Sequence, residues 1–248
     1  AELRERGIQE LYKGSNETGW DGQFYFYIAN DPLALKDTAQ HIDSNAYRYQ
    51  RIGLPLLANL VSKVTLQSWV SPLTYYTTSL SIVLVAVGMA AFFFQRKGIS
   101  PYWALFWALG IGTQVTQLNG LPDAAADGLL IIALLSLIQG RLLLYVFAIV
   151  FAALAREAYV LIPAVIVIAL LIYHLKANGV KSGLKVISIF KLFSQSWIHS
   201  IPIVVVIGWQ IFIRVKFGVS PSSQAHNILD WPLKSSFDFM FAGFSGAH

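Results

Sequence analysis

The chain contains no cysteine among its 248 residues, which excludes disulfide bonds, thiolate metal sites and cysteine nucleophiles. It is also poor in charge: 12% of its residues are charged and 56% are hydrophobic, and its mean hydropathy is positive. Soluble domains carry about twice that share of charged residues, so this composition indicates an integral membrane protein. The net charge of +5 comes from basic residues scattered between apolar runs, a pattern that argues against a nucleic-acid-binding protein.

Several catalytic signatures are absent as well. The histidines do not form HExxH, the glycines do not form GxGxxG or GxxxxGK[ST], and no GxSxG elbow occurs. These absences argue against a zinc protease, a nucleotide-driven cytosolic engine and a serine hydrolase.

Long apolar runs begin after Pro72, and they predict an all-α fold, a polytopic transmembrane helix bundle with about six spans. The runs cover residues 73–94, 102–118, 124–138, 142–155, 158–175 and 197–215. Several are near the roughly 20 residues that cross a bilayer, while the third and fourth are short. The predicted organisation is an extracytoplasmic loop region with interfacial helices at 1–70, the bundle at 71–217 and an extracytoplasmic segment at 218–248.

The charges between the runs predict the orientation of the bundle. If the spans alternate, one side receives the loops that carry Arg96, Lys97, Arg141, Lys176, Lys181, Lys185 and Lys191, and these loops contain no Asp or Glu. The positive-inside rule makes that side cytoplasmic. All thirteen acidic residues then lie on the opposite side, which predicts a binding or active site on the extracytoplasmic face.

Two carboxylates stand where a predicted helix enters the membrane, in LPDAAADGLL. Asp123 and Asp127 are four residues apart, so they lie on one helical face. Asp123 suits the positive N-terminus of that helix. Asp127 lies one turn inside the apolar run, where an ionisable group normally lines a cavity or a substrate pathway.

Three arginines interrupt apolar or aromatic sequence and leave two readings open. Arg156 and Glu157 in FAALAREAYVLIPA are either an interfacial ion pair or a phosphate-binding arginine with its neighbour. Arg48 and Arg51 in YRYQRIGLP are three residues apart, which predicts one helical face. They suit either a phosphate group or an aromatic and arginine belt at the membrane interface.

The stretch GWDGQFYFYIANDP resembles the first extracytoplasmic loop of membrane glycosyltransferases of the GT-C superfamily. It is most similar to bacterial relatives of the second mannosyltransferase of GPI-anchor synthesis, in which a Trp-Asp precedes an aromatic pair and Ile-Ala. The matching positions are Trp20, Asp21, Tyr25, Ile28 and Ala29. The segments RYQRIGLPLLANL, LPDAAADGLLIIALL, LAREAYVLIPA and NILDWPLKSSF resemble later parts of the same proteins. Such proteins carry further helices on both sides of these segments, so further spans are expected beyond this sequence.

The resemblance implies an inverting transferase in a bacterial inner membrane. It would pass a sugar from a polyprenyl-phosphate donor to an acceptor hydroxyl of a glycan, lipid or protein. The loop Asp of the superfamily is the general base, a role that carries over to Asp21, while Arg48, Arg51 and Arg156 are expected to bind the donor phosphate. The expected substrate-binding residues are Trp20, Gln23, Tyr25, Asp123, Asp127 and Glu157. No cofactor is assigned, although Asp21 with Asp123 or Asp127 suits magnesium or manganese.

Two other classes of protein remain open. A transporter or flippase for a lipid-linked or anionic solute would use Asp127 and Arg156 as its pathway, and it predicts symmetry-related halves and broken helices. A non-catalytic scaffold subunit of an envelope assembly would tolerate substitution of Asp21.

Overall fold

A computed structural model describes residues 21–178, 186–221 and 223, and this part of the chain is helical without any strand. Two 3-10 turns, Asp37–His41 and Glu157–Val160, accompany the α-helices. The helices are α1 (Gly22–Asn30), α2 (Asn45–Gln50), α3 (Gly53–Val64), α4 (Pro72–Arg96), α5 (Trp103–Ala108), α6 (Ile111–Leu118), α7 (Asp123–Ile138), α8 (Leu142–Ala155), α9 (Leu161–Asn178) and α10 (Val186–Phe217). The all-α prediction is confirmed for the described residues.

Three helical stretches are long and apolar enough to cross a membrane: Pro72–Arg96, Glu157–His174 and Ser196–Phe217. The first begins sharply because Pro72 stands at the first helical position and the Ser71 side chain accepts a hydrogen bond from Thr74 N at 3.1 Å. Their length and composition indicate a membrane protein. These stretches account for three of the six predicted spans.

The second predicted span, 102–118, is two short helices instead of one. After α5 the backbone of Gly110 is extended, with φ −59° and ψ 139°, and α6 begins at the next residue. Glycine has a low helix propensity, and Gly112 follows two residues later, so the apolar run does not sustain one helix. Hydropathy alone did not detect this break.

The two short spans of the prediction form a tight helical hairpin, α7 and α8. Their 16 and 14 residues extend over roughly 24 and 21 Å, less than the roughly 30 Å of a bilayer core. Their shared face is rich in alanine, including buried Ala133, Ala148 and Ala152. Small side chains let the helix backbones approach closely, as is common between membrane helices.

Two glycines allow the N-terminal helices to pack onto the bundle. A Cβ on Gly22 would lie 1.7 Å from Asn119 O, and one on Gly53 would lie 2.4 Å from Phe151 O. Since each neighbour is a backbone atom, it cannot swing aside. Trp209 Nε1 also donates to Tyr49 O at 2.9 Å, which ties α2 to α10.

The helix directions bring the acidic segments to one end of the bundle. Tyr75 near the start of α4 donates to Gly120 O at 3.0 Å, and Ile82 further along packs on Gly128, so α4 and α7 run in parallel. Since α8 returns antiparallel to α7, Asp123 at the start of α7 meets Arg156 after α8. The opposite end holds the turns at Arg96 and Arg141.

Candidate functional site

Ten charged or phenolic side chains assemble at the end of the bundle where α7 begins. We refer to them as the cluster: Asp21, Tyr25, Asp43, Arg48, Arg51, Asp123, Asp127, Arg156, Glu157 and Tyr159. They come from α1, α2, the turns beside these helices, the start of α7 and the segment between α8 and α9. The close approach at Gly22 places Asp21 beside the turn that precedes α7.

One half of the cluster surrounds Arg48. Its Nη2 donates to Asp21 Oδ1 at 2.9 Å and its Nε donates to Asp43 Oδ1 at 3.3 Å, while its guanidinium lies over the Phe24 ring at 4.9 Å. The Arg48 side chain is 8% exposed, whereas that of Asp21 is 56% exposed. Burial acts to lower the pKa of Arg48, but the hydrogen bond and charge of Asp21 outweigh it and raise the pKa. A permanent cation therefore holds Asp21 at the surface.

Arg51 does not share a face with Arg48, contrary to the prediction from their spacing. Helix α2 ends at Gln50, and the Arg51 backbone leaves the helical region with ψ 52°. Its Nε lies 3.5 Å from Glu157 Oε2, and its guanidinium covers the Tyr47 ring at 5.4 Å. Both atoms of that ion pair are buried, and neither has a hydrogen-bond partner among the described residues. The pair therefore holds by charge attraction without the geometry of a hydrogen bond.

The other half of the cluster surrounds Arg156. Its Nη1 lies 3.5 Å from Asp127 Oδ1, and its Nε lies 4.0 Å from Asp123 Oδ1. Asp123 and Asp127 therefore face the same cation, as neighbours one helical turn apart can. Tyr159 connects the two charges, because its hydroxyl donates to Asp127 Oδ1 and accepts from Arg156 Nη1 at 3.4 Å. With 44% of its side chain exposed, Arg156 is far more accessible than Arg48.

Tyr25 lies between the two halves. Its side chain is 1% exposed, so its ring supports the arginines from inside and is not accessible to a ligand from the surface. Burial raises the pKa of Tyr25, and the positive charges of Arg51 and Arg48 oppose part of that rise. The phenol therefore stays neutral at physiological pH beneath two guanidinium groups.

One of the predicted substrate-binding residues lies apart from these contacts. Gln23 is half-buried on α1, and no hydrogen bond or ion pair joins it to the cluster among the described residues. Trp20 lies outside the described residues, as does the NILDWPLKSSF segment.

Two members of the cluster were not predicted. Asp43 precedes Arg48 by five residues, in a turn whose course the sequence does not reveal. Tyr159 follows Glu157 by two residues, and a hydroxyl beside a charged pair inside an apolar run was a usable signal.

The combination of Asp21 with Asp123 or Asp127 around a metal, which the sequence left open, does not form in the described part of the chain. There, no group of three or more His, Asp or Glu side chains lies close enough to bind a metal ion. Asp21 pairs with Arg48, while Asp123 and Asp127 pair with Arg156. Guanidinium groups occupy the positions between the carboxylates, so this donor set does not fit a magnesium or manganese ion.

Fold and cluster together define a helical membrane protein with an arginine–carboxylate site at one end of its bundle. No protein-family model matches the chain, and neither a curated protein nor a solved structure is similar to it.

Proposed function

We propose that the protein is an integral membrane glycosyltransferase of the GT-C kind. It transfers a sugar from a polyprenyl-phosphate donor to an acceptor hydroxyl, with inversion at the anomeric carbon. The observation that carries the proposal is the pairing of Asp21 with Arg48 at 2.9 Å, which fixes an exposed carboxylate in the same cluster as the accessible Arg156. The resemblance of GWDGQFYFYIANDP to the catalytic loop of that superfamily also supports Asp21 as the catalytic residue.

Asp21 acts as the general base in a single displacement. The acceptor oxygen forms a bond to the anomeric carbon while its proton passes to an Asp21 carboxylate oxygen. The bond from that carbon to the phosphate oxygen breaks, and polyprenyl phosphate departs with the electron pair. A carboxylate suits this task because the transition state is oxocarbenium-like and the hydroxyl must lose its proton as the new bond forms.

Arg156 is the arginine best placed to hold the departing phosphate. Its two carboxylate contacts are longer than those of Arg48, and nearly half of its side chain is exposed. A phosphate oxygen can therefore take one of its donors without unpacking a buried pair. Its fixed positive charge would stabilise the charge that develops on the leaving group.

The charge of the cluster favours a donor with little negative charge. Asp21, Asp43, Asp123, Asp127 and Glu157 oppose three arginines, which leaves a formal charge of −2. A sugar linked through one phosphate carries a single negative charge, whereas one linked through pyrophosphate carries two. The monophosphate donor therefore meets less repulsion here.

The proposed topology contains six membrane-crossing units, with the α5–α6 pair as the second. The cluster end faces the extracytoplasmic side, since Arg96, Lys97, Arg141 and Lys176 stand at the other end without acidic partners in those loops. The protein would then be a multi-pass protein of a bacterial inner membrane. Arg214 and Lys216 at the cluster end suit the negative C-terminus of α10.

A transporter of a lipid-linked or anionic solute is the second candidate. The break between α5 and α6 favours it, because transporters often bind substrates at discontinuous helices. No second broken pair with inverted direction occurs among the described helices, however, which leaves the inverted repeat of many transporters without support.

The proposal is tested by sugar transfer in membranes that carry the full-length protein. A panel of radiolabelled polyprenyl-phosphate sugars is offered to the wild type, to Asp21→Asn and to Asp37→Asn. Asp37 is the matched control, an exposed carboxylate that accepts a hydrogen bond from Gln40 and takes no part in the cluster. Loss of a general base costs about 10²- to 10⁴-fold, so Asp21→Asn is expected to lose transfer while Asp37→Asn retains it. Equal transfer by all three proteins would remove Asp21 as the base, and no transfer from any donor by a folded wild type would favour the transporter.

A further inference from the structure

The end of α3 differs from the other helix ends of its kind in this chain. Among the described residues, four helix ends close with a six-residue and a four-residue hydrogen bond around a residue of positive φ, the Schellman arrangement. Three of these residues are glycines, which adopt that conformation without strain: Gly98, Gly120 and Gly140. The fourth is Leu66, with φ 56°, held by the bonds from its N to Lys63 O and from Gln67 N to Ser62 O.

The strained leucine also exposes its side chain. Leu66 is 93% exposed and Val64 is 81% exposed, and Leu60 and Val61 on the last turns of α3 are exposed as well. A contiguous apolar patch of this kind is unfavourable in water and marks a surface that contacts another apolar phase or molecule. A glycine at position 66 would remove both the backbone strain and the exposed apolar side chain. A leucine here is therefore favourable only if its side chain contacts an apolar partner.

The position of the patch indicates its partner. Gln67 Oε1 accepts from Thr74 Oγ1 at 2.7 Å, which fixes the end of α3 beside the first turn of α4. Since α4 is long enough to cross a membrane, its first turn lies at the level of the membrane surface. The exposed Leu73 and Leu80 extend the apolar surface from the patch down α4.

The charge around the patch agrees with this position. Lys63 is exposed between Val61 and Val64, and the sequence has no Asp or Glu between Asp43 and Asp123. A lysine beside exposed aliphatic side chains matches the boundary between acyl chains and anionic headgroups, where its stem stays apolar and its ammonium reaches a phosphate.

We propose that the end of α3, with Leu60, Val61, Lys63, Val64 and Leu66, is an interfacial anchor that inserts into the leaflet next to the cluster. The anchor fixes the depth of α3, whose other end adjoins Arg51 and packs through Gly53 on α8. The cluster is thereby held at the height of lipid headgroups. This inference requires α4 to span the bilayer and does not depend on glycosyl transfer.

Because the chain has no cysteine, a single introduced cysteine can be spin-labelled without first removing native ones. Single cysteines replace Leu66 or Val64 in the full-length protein in nanodiscs of phosphatidylglycerol and phosphatidylethanolamine, with Leu84→Cys on α4 as the lipid reference and Asp37→Cys as the aqueous reference. Labels at positions 66 and 64 are expected to collide with oxygen more than with a water-soluble nickel chelate, as at position 84. If the labels at positions 66 and 64 showed the same accessibility to the two reagents as the label at position 37, the anchor proposal would be overturned. Shielding from both reagents, or broadening from a second copy, would also overturn it, because protein would then cover the patch.

A second variant separates the side chain from its backbone strain. Leu66→Gly fits the left-handed backbone, so in the absence of a lipid contact it would raise the Tm of the protein in the same nanodiscs. The anchor predicts an unchanged or lower Tm, since the lost insertion offsets the relieved strain. A higher Tm for Leu66→Gly would contradict the proposal.

Discussion

The two halves of the cluster use the same pair of chemical groups in different ways. Around Arg48 the contacts are short, at 2.9 and 3.3 Å, and the guanidinium is buried. Around Arg156 they are 3.5 and 4.0 Å long, and the guanidinium is accessible. The first half is built to hold a carboxylate in place, and the second leaves a cation open to an incoming anion. Burial and distance, more than residue type, distinguish the two arginines.

The largest effect on donor binding is expected from removing the accessible cation, Arg156. Arg156→Gln deletes charge-assisted hydrogen bonds to the phosphate, each worth about 1.5–3 kcal/mol, so affinity for a polyprenyl phosphate should fall about tenfold to a hundredfold. Titration of the protein in nanodiscs with the lipid phosphate measures this. Arg214→Gln, at the same end of the bundle, is the control and should bind as the wild type does. Unchanged affinity in Arg156→Gln would contradict the proposal that Arg156, unlike Arg48, binds the donor phosphate.

The buried half should respond in stability instead of binding. Arg48→Gln leaves Asp21 and Asp43 without their shared cation, and because both carboxylates are more than half exposed the cost is about 2 kcal/mol, less than for a fully buried pair. Thermal unfolding in nanodiscs should show a lower Tm for Arg48→Gln than for Arg156→Gln. The reverse order would contradict the assignment of Arg48 as the structural arginine.

The contact at Gly22 joins the two halves and can be broken by one methyl group. Gly22→Ala places a Cβ against Asn119 O and forces the backbones apart, which costs about 1–3 kcal/mol. Transfer should fall by a larger factor than donor binding, because Asp21 moves away from the Arg156 half. Gly88→Ala on α4, where a Cβ meets nothing within 4 Å, is the matched control; it should leave transfer unchanged and Tm unchanged or slightly higher, since alanine favours a helix more than glycine does. Equal effects of the two alanines would show that the contact is unimportant.

The smallest effect is expected at the hydroxyl that positions Arg156. Tyr159→Phe keeps the ring beneath the guanidinium but removes the hydrogen bonds to Asp127 and Arg156, a loss of about 1 kcal/mol. The donor KM should rise about fivefold with kcat nearly unchanged, and Tyr102→Phe serves as the control. A loss of kcat at constant KM would instead place the hydroxyl in the chemical step.

Local spacing predicted one half of the cluster better than the other. Asp123 and Asp127 share a face because four residues make one helical turn, and the sequence shows that relation directly. The contact of Asp21 with Arg48 joins residues 27 positions apart, and it depends on how α1 packs on the turn before α7. Such a contact is a product of tertiary packing, which spacing does not encode.

The same limit applies to the fold. Hydropathy predicted the long helices, because a continuous apolar run is itself the signal. It did not predict the end of α2 at Gln50, which turns Arg51 toward Glu157, or the break at Gly110. Each depends on one backbone conformation, which hydropathy averaged over a window does not resolve.

The most direct test of the central claim measures donor binding and single-turnover transfer on one preparation of Asp21→Asn in nanodiscs. The account predicts that this variant binds the polyprenyl-phosphate donor as the wild type does, because Arg156 is intact, while transfer falls at least about 100-fold for want of a base. Transfer at the wild-type rate with donor bound would contradict the account, since the carboxylate held by Arg48 would then have no part in the reaction.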